Sequence, residues 1–243
     1  VELYVSGICG SQLGEIDGVK GFDKFIPHLM GHEGCGRIIK IGPGVSTVKE
    51  GDKVVLHWKK GSGINSETPV YNYRGKVINA GWVTTFNKYA VISENRLTKI
   101  PEDTPNDVAA LFGCAITTGF GVIENNAKLK IGESIVVLGS GGIGLNIIQA
   151  ANLVSAYPII AVDLYDERLK LAKKFGATHI INSSNSGNVG LGTKNGTIGV
   201  HINVVVLIHE IIHILGIGTN YNAWYNNLVN SPANGERKFY TGR

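Results

Sequence analysis

Near its carboxyl end the sequence reads LIHEIIHILGIG, residues 207–218. On a helix, His209 and His213 stand one turn apart on one face, about 5–6 Å between Cβ atoms. Both imidazoles could then ligate one zinc ion while Glu210 activates a water. A blander reading makes VVVLIHEIIHILGIG a buried apolar helix or strand with satisfied histidines. A second constellation is GSGGIG at residues 139–144, a G-x-G-x-x-G. Gly139 permits a tight turn, and Gly141, with Gly142 beside it, lets a backbone approach a pyrophosphate. Gly144 lets a helix pack closely on a strand. The free N–H groups of that helix would face the phosphates. Asp163 follows about 20 residues on, where a carboxylate can accept the ribose hydroxyls. The acid favours NAD over NADP, whose 2′-phosphate it would repel. Arg168 weakens that preference, unless it is only a solvated helix residue.

The elements that must position these residues fall into two rhythms. Residues 1–122 carry Gly-rich and β-branched runs (GRIIKIG, DKVVLHW, FNKYAVI, RLTKIP) separated by Gly, Pro and Asn turns. They predict a compact, mostly β domain. From Ser134 the pattern alternates: SIVVLG as strand, GGIGLNIIQAANLV as helix, PIIAVDL as strand, ERLKLAKKFG as helix and HIIN as strand. That is a βαβαβ unit with a parallel sheet, over residues 123–182. The fold class is therefore α/β. Residues 183–199 have the Gly/Ser/Asn composition of a linker. Asparagine occurs 10 times in residues 1–181 and 11 times in 182–243, so residues 200–243 read as a segment of different origin.

The whole chain has 243 residues, 43% of them hydrophobic and 17% charged, as in globular domains. A net charge of +4 without a Lys/Arg run gives no reason to expect nucleic acid. Cys9, Cys35 and Cys114 lie too far apart for a disulfide framework and suit reduced thiols or metal ligands. No secretory signal opens the sequence, and the run Val204–Ile217 is too short and too interrupted to span a bilayer. VELYV, without Met, reads as mid-strand, so a fragment of a longer protein is expected.

Spacing alone does not convict Cys9, His32 and Cys114 as ligands. Their contexts, SGICGS, LMGHEGCG and ALFGCAITTGFG, resemble the medium-chain, zinc-dependent alcohol dehydrogenase family over about residues 1–182. The resemblance implies a GroES-like domain at 1–122, a partial Rossmann NAD-binding domain at 123–182, and Zn2+ held by Cys9, His32 and Cys114. Zinc there would acidify a bound alcohol, whose hydride passes to the nicotinamide. Glu33 becomes a neighbour or transient ligand of the metal, and Ser11 the hydroxyl that relays the alcohol proton. Gly14 falls where some members place a relay His. The family's optional lobe of four cysteines is absent; KKGSGINSETPVYNYR, residues 59–74, stands there and must be ordered without metal.

The tail HEIIHILGIG resembles the leishmanolysin-type metzincins over about residues 198–240. Their third His has no counterpart, because no histidine follows His213. The leading expectation is a truncated, weakly active NAD-dependent zinc alcohol dehydrogenase acting on a small alcohol or aldehyde, in the cytoplasm. Its subunit contacts are in doubt, since the strands that carry them would be missing. The alternatives are a zinc metalloendopeptidase using HEIIH on a short helical tail, secreted or membrane-associated, and a non-catalytic remnant that binds zinc or nucleotide.

Overall fold

In the computed structural model the described residues are 1–184 apart from Lys20, with the strand backbones of 204–207 and 238–241. Two compact units divide between Thr117 and Thr118. No helix among the described residues is long and apolar enough to cross a membrane.

The first unit contains β1 (Glu2–Ser6), α1 (Gly10–Ile16), β2 (Glu33–Arg37), β3 (Lys53–His57), β4 (Val70–Tyr73), β5 (Lys76–Asn79), β6 (Leu97–Lys99) and α2 (Asn106–Leu111). β1, β2, β3 and β6 form an antiparallel sheet in that order, and β4 and β5 pair as a separate hairpin. The alternation in KVVLH sorts the core. Val54 and Leu56 pack with Ile38 and Val48 on one face, while Val55 packs with Cys35, Ala109 and Ala110 on the other. FNKYAVI departs from its strand pattern: one isolated bridge, Glu2 to Tyr89, joins it to β1, together with the Leu3 N–H donating to Lys88 O at 2.8 Å and the Ala90 N–H to Val1 O at 3.0 Å. The Asn87 side-chain amide lies across the bend, donating to Thr84 O and Tyr89 O at 3.3 Å each.

The metal-free segment 59–74 is ordered by a buried polar hub, Ser93, Glu94 and Asn95. Glu94 accepts hydrogen bonds from the N–H groups of Ser46, Thr47 and Ile64, each at 2.7 Å, and from Thr47 Oγ1 at 2.9 Å. Ser93 Oγ accepts the Ser66 N–H at 3.0 Å, and Asn95 Nδ2 donates to Asn65 Oδ1 at 3.0 Å. Those donors, led by Ile64 and then Thr47 and Ser46, hold the Glu94 carboxyl down at about 2.

α3 (Ala115–Gly121) crosses the boundary between the units. The second unit continues with β7 (Ile135–Leu138), α4 (Gly142–Leu153), β8 (Ile159–Asp163), α5 (Asp166–Lys174), β9 (His179–Asn182), β10 (Val204–Leu207) and β11 (Lys238–Thr241). Ile135, Val137, Ile159 and Ala161 meet Ile147, Ile148 and Leu169 of the helices in one core; Val136, Ile160 and Val162 are buried on the opposite face.

The sheet does not stop at β9. It has five strands in the order β11-β10-β7-β8-β9, all pairs parallel. The expected three-stranded half is thus corrected: VVVL, taken in the sequence with the HEIIH tail, pairs along β7 from Val204–Ile135 to Leu207–Leu138. A short run of β-branched residues fits an interior strand of a parallel sheet, and β10 lies between β11 and β7. The order places a topological switch point between β7 and β10, where open α/β sheets bind ligands beyond the carboxyl ends of their strands. His209, Glu210 and His213, the helix expected around them, and the linker residues 185–199 lie outside the described residues.

Candidate functional site

In the first unit the folded chain gathers one cluster of metal-ligand type. The ligating atoms of Cys9, His32 and Cys114 all lie within 4.8 Å of one another. Each comes from the end of an element. Cys9 is the extended N-cap of α1 (φ −96°, ψ 150°), His32 immediately precedes β2, and Cys114 follows α2. Two glycines permit the approach. At Gly31 (φ +91°) a Cβ would stand 2.3 Å from Thr85 Oγ1, and at Gly113 one would stand 2.3 Å from Leu56 O and 2.7 Å from Glu33 Cα. Any other residue at either position would drive the ligand segments apart.

The donors are primed for a cation. The thiol of Cys9 is held down at about 3, chiefly by Cys114 and then by His32 and Ser11, against the upward pull of burial. Burial works to lower the basicity of His32, but Cys9 and Glu33 outweigh it and the net shift is upward. His32 Nε2 is buried with no hydrogen-bond partner. Two cysteine sulfurs and an imidazole nitrogen gathered at this range, with a buried ring nitrogen left unsatisfied, fit a zinc ion. Glu33 is buried, and its Oε2 accepts the Ala115 N–H at 3.3 Å. Burial pushes its carboxyl up, and Cys9 adds to that, against the Ala115 N–H and His32. Ser11 Oγ accepts from Gln12 Nε2 at 3.3 Å. Cys35 lies apart from the cluster, its thiol 3.7 Å from Asn106 Oδ1.

Gln12 escaped the sequence reading. Buried in α1, it accepts the Cys9 N–H on Oε1 at 3.1 Å and has its Nε2 2.5 Å from His32 Nδ1. Its signal was present: Cys9 and Gln12 have the spacing of a helix capping box, with Cys in place of Ser or Thr.

The second unit holds the glycine turn. Gly139 leaves β7 at φ +93°, a conformation suited to glycine, and Gly141 is the extended N-cap of α4, which begins at Gly142. Gly144 lies buried in the first turn of α4. Asp163 ends β8 and is buried. Its Oδ2 accepts the Ser140 N–H at 2.7 Å, and its Oδ1 accepts the Tyr165 N–H at 3.0 Å. The acid therefore braces the glycine turn across the sheet, and each oxygen keeps a further lone pair. Arg168 Nη1 is 3.8 Å from Oδ2, with its guanidinium over the Tyr165 ring at 4.9 Å. Tyr165, Arg168, Asn182 and Ser184 line an open cavity of about 550 Å3 beside the acid.

The family model of the alcohol dehydrogenase GroES-like domain matches residues 1–102, and that of the zinc-binding dehydrogenase matches residues 142–223. The chain belongs to the medium-chain, zinc-dependent alcohol dehydrogenase family. S-(hydroxymethyl)glutathione dehydrogenase of Paracoccus denitrificans is 34% identical over 222 residues, covering 78% of this chain and 57% of the relative. A class-3 alcohol dehydrogenase of Cereibacter sphaeroides is 33% identical over 217 residues, covering 76% of this chain and 56% of the relative. Among solved structures, benzyl alcohol dehydrogenase from Acinetobacter calcoaceticus superposes with a TM-score of 0.66 at 32% identity, covering 77% of this chain and 57% of that one. The chain thus spans a little over half the length of these dehydrogenases. The zinc-binding dehydrogenase match runs through residue 223, across His209, Glu210 and His213. The alcohol dehydrogenase family thereby accounts for a stretch that the sequence alone assigned to a metallopeptidase, and the leishmanolysin-like reading gains no support.

Proposed function

We propose that this protein is a zinc-dependent, NAD-linked oxidoreductase interconverting a small-molecule alcohol and its aldehyde. The observation that carries the reading is the convergence of Cys9, His32 and Cys114 around a buried imidazole nitrogen without a partner. Two thiolates and one imidazole leave a fourth position open for substrate, the pattern of a catalytic zinc site. When bound, zinc and NAD supply the acidification of an alcohol hydroxyl and the acceptor for its hydride. Ser11, the second residue of α1 and in contact with Cys9, receives the hydroxyl proton on Oγ. Gly14 offers no base beyond it, so the proton would have to leave Ser11 for water or for a hydroxyl of the bound coenzyme. Glu33, buried against Cys9 and His32, tunes the charge of the site. Asp163 would hold the ribose hydroxyls with its remaining lone pairs, and Gly139, Gly141, Gly142 and Gly144 shape a turn that would receive the pyrophosphate. Arg168, over the Tyr165 ring and 3.8 Å from Asp163, would help hold the same coenzyme. Relatives named for benzyl alcohol and S-(hydroxymethyl)glutathione support the substrate class. Three cysteines outside any disulfide suit a reducing, cytoplasmic compartment.

Metal analysis of the purified chain tests this. One zinc equivalent is expected, lost when Cys9, His32 and Cys114 are all changed to Ala. Unchanged stoichiometry in that variant, with His209 and His213 also replaced, would sink the reading.

A further inference from the structure

We propose that Arg96 and Trp82 form an anion site in the first unit, a guanidinium braced on an indole that takes a small carboxylate. It does not depend on the zinc reading, since neither zinc nor NAD enters it. Buried charges in folded proteins are paired, because a lone ion taken out of water is costly. Arg96 is 9% exposed. Its Nη1 is sealed from solvent and has no hydrogen-bond partner. Among the described residues no carboxylate forms an ion pair with it. Burial lowers its basicity, and no neighbouring acid offsets that. The nearest acid in the chain is committed elsewhere: Glu94, two residues back, accepts from Ser46, Thr47 and Ile64. A buried cation of this kind calls for an anion.

What the guanidinium does meet is an aromatic ring. Its carbon stands 5.5 Å from the centroid of Trp82, a cation–π contact. The indole is fixed on two sides: Nε1 donates to Ser66 O at 2.8 Å, and the Trp82 carbonyl accepts the Ser93 N–H at 3.0 Å. The Arg96 N–H donates to Ser93 O at 2.9 Å, so one residue sets the height of both ring and cation. A guanidinium carries its five N–H donors in its plane, so a ring over its face leaves its edge for an acceptor. A planar carboxylate, with two oxygens, matches that edge. Its single charge also balances the single cation. A phosphate dianion would bring excess negative charge into a region that already buries the Glu94 carboxylate.

The test titrates the full chain with acetate at constant ionic strength. Trp58→Phe and Trp224→Phe together leave Trp82 as the one tryptophan reporter. A saturating change in its emission is expected. Arg96→Lys keeps the charge but loses the planar fork, and should weaken acetate about tenfold or more. Arg96→Met should abolish the response. The chain with all its tryptophans supplies a second readout: acetate should raise its unfolding midpoint by linkage and leave that of Arg96→Met unmoved. That measurement decides the matter if the double Phe background fails to fold. A parent that shows neither response up to about 100 mM acetate overturns the proposal, as does an equal response in Arg96→Met. Inorganic phosphate saturating the emission change at lower concentration than acetate overturns the carboxylate assignment.

Discussion

Glu94 is expected to be the most costly single carboxylate to neutralise in the first unit. Its Oε1 accepts the Ser46 and Thr47 N–H groups and the Thr47 hydroxyl, and its Oε2 accepts the Ile64 N–H. Glu94→Gln preserves shape but has one oxygen. In one orientation the new NH2 faces the Ile64 N–H; in the other it faces both Ser46 and Thr47. At least one buried backbone donor is orphaned, at about 1–3 kcal/mol, and the surviving bonds lose their ionic acceptor. The expected total is about 2–4 kcal/mol at neutral pH. Urea unfolding followed by tryptophan fluorescence reads it, since Trp82 is hydrogen-bonded into the same segment through Ser66 O. The sign with pH follows from the depressed carboxyl, ordinarily 4.5 and here about 2. Its contribution is complete above 4.5 and is lost as pH falls toward 2. The parent-minus-variant difference should therefore shrink between pH 5 and pH 2, which separates Glu94 from the other titrating acids. A difference under about 0.5 kcal/mol at pH 7, or one that is the same at pH 3, would refute the hub.

Two further outcomes follow from the second unit and from the tail. Asp163→Ala should weaken NAD binding about tenfold or more, because a charged acceptor for the ribose is lost and Ser140 N–H no longer braces the turn; titration calorimetry giving a parental Kd would contradict the assignment. The purified chain with added zinc should leave casein intact, since two histidines without a third ligand hold a metal weakly and orient its water poorly for Glu210; cleavage that disappears in Glu210→Ala would revive the peptidase reading.

Local pattern was enough for the run from Ser134 to Asn182. Each of its strands and helices is specified by the period of its own apolar residues, and the glycine turn and Asp163 sit at ends that such periods define. The same reasoning failed where the decision belonged to a distant partner. VVVL carries no mark of which strand it will join, and only the sheet decides that it lies along β7. FNKYAVI alternates like a strand yet contributes one bridge, to Glu2, and otherwise meets that edge through scattered hydrogen bonds. Cys9, His32 and Cys114 were legible only by resemblance; their separations along the chain mean nothing until Gly31 and Gly113 let the segments close to 4.8 Å. Glu94 was silent, and Gln12 showed only the spacing of a capping box. A polar side chain in a sequence looks the same whether water or protein will satisfy it, and burial, which turns that choice into several kcal/mol, exists only once the chain has folded around it.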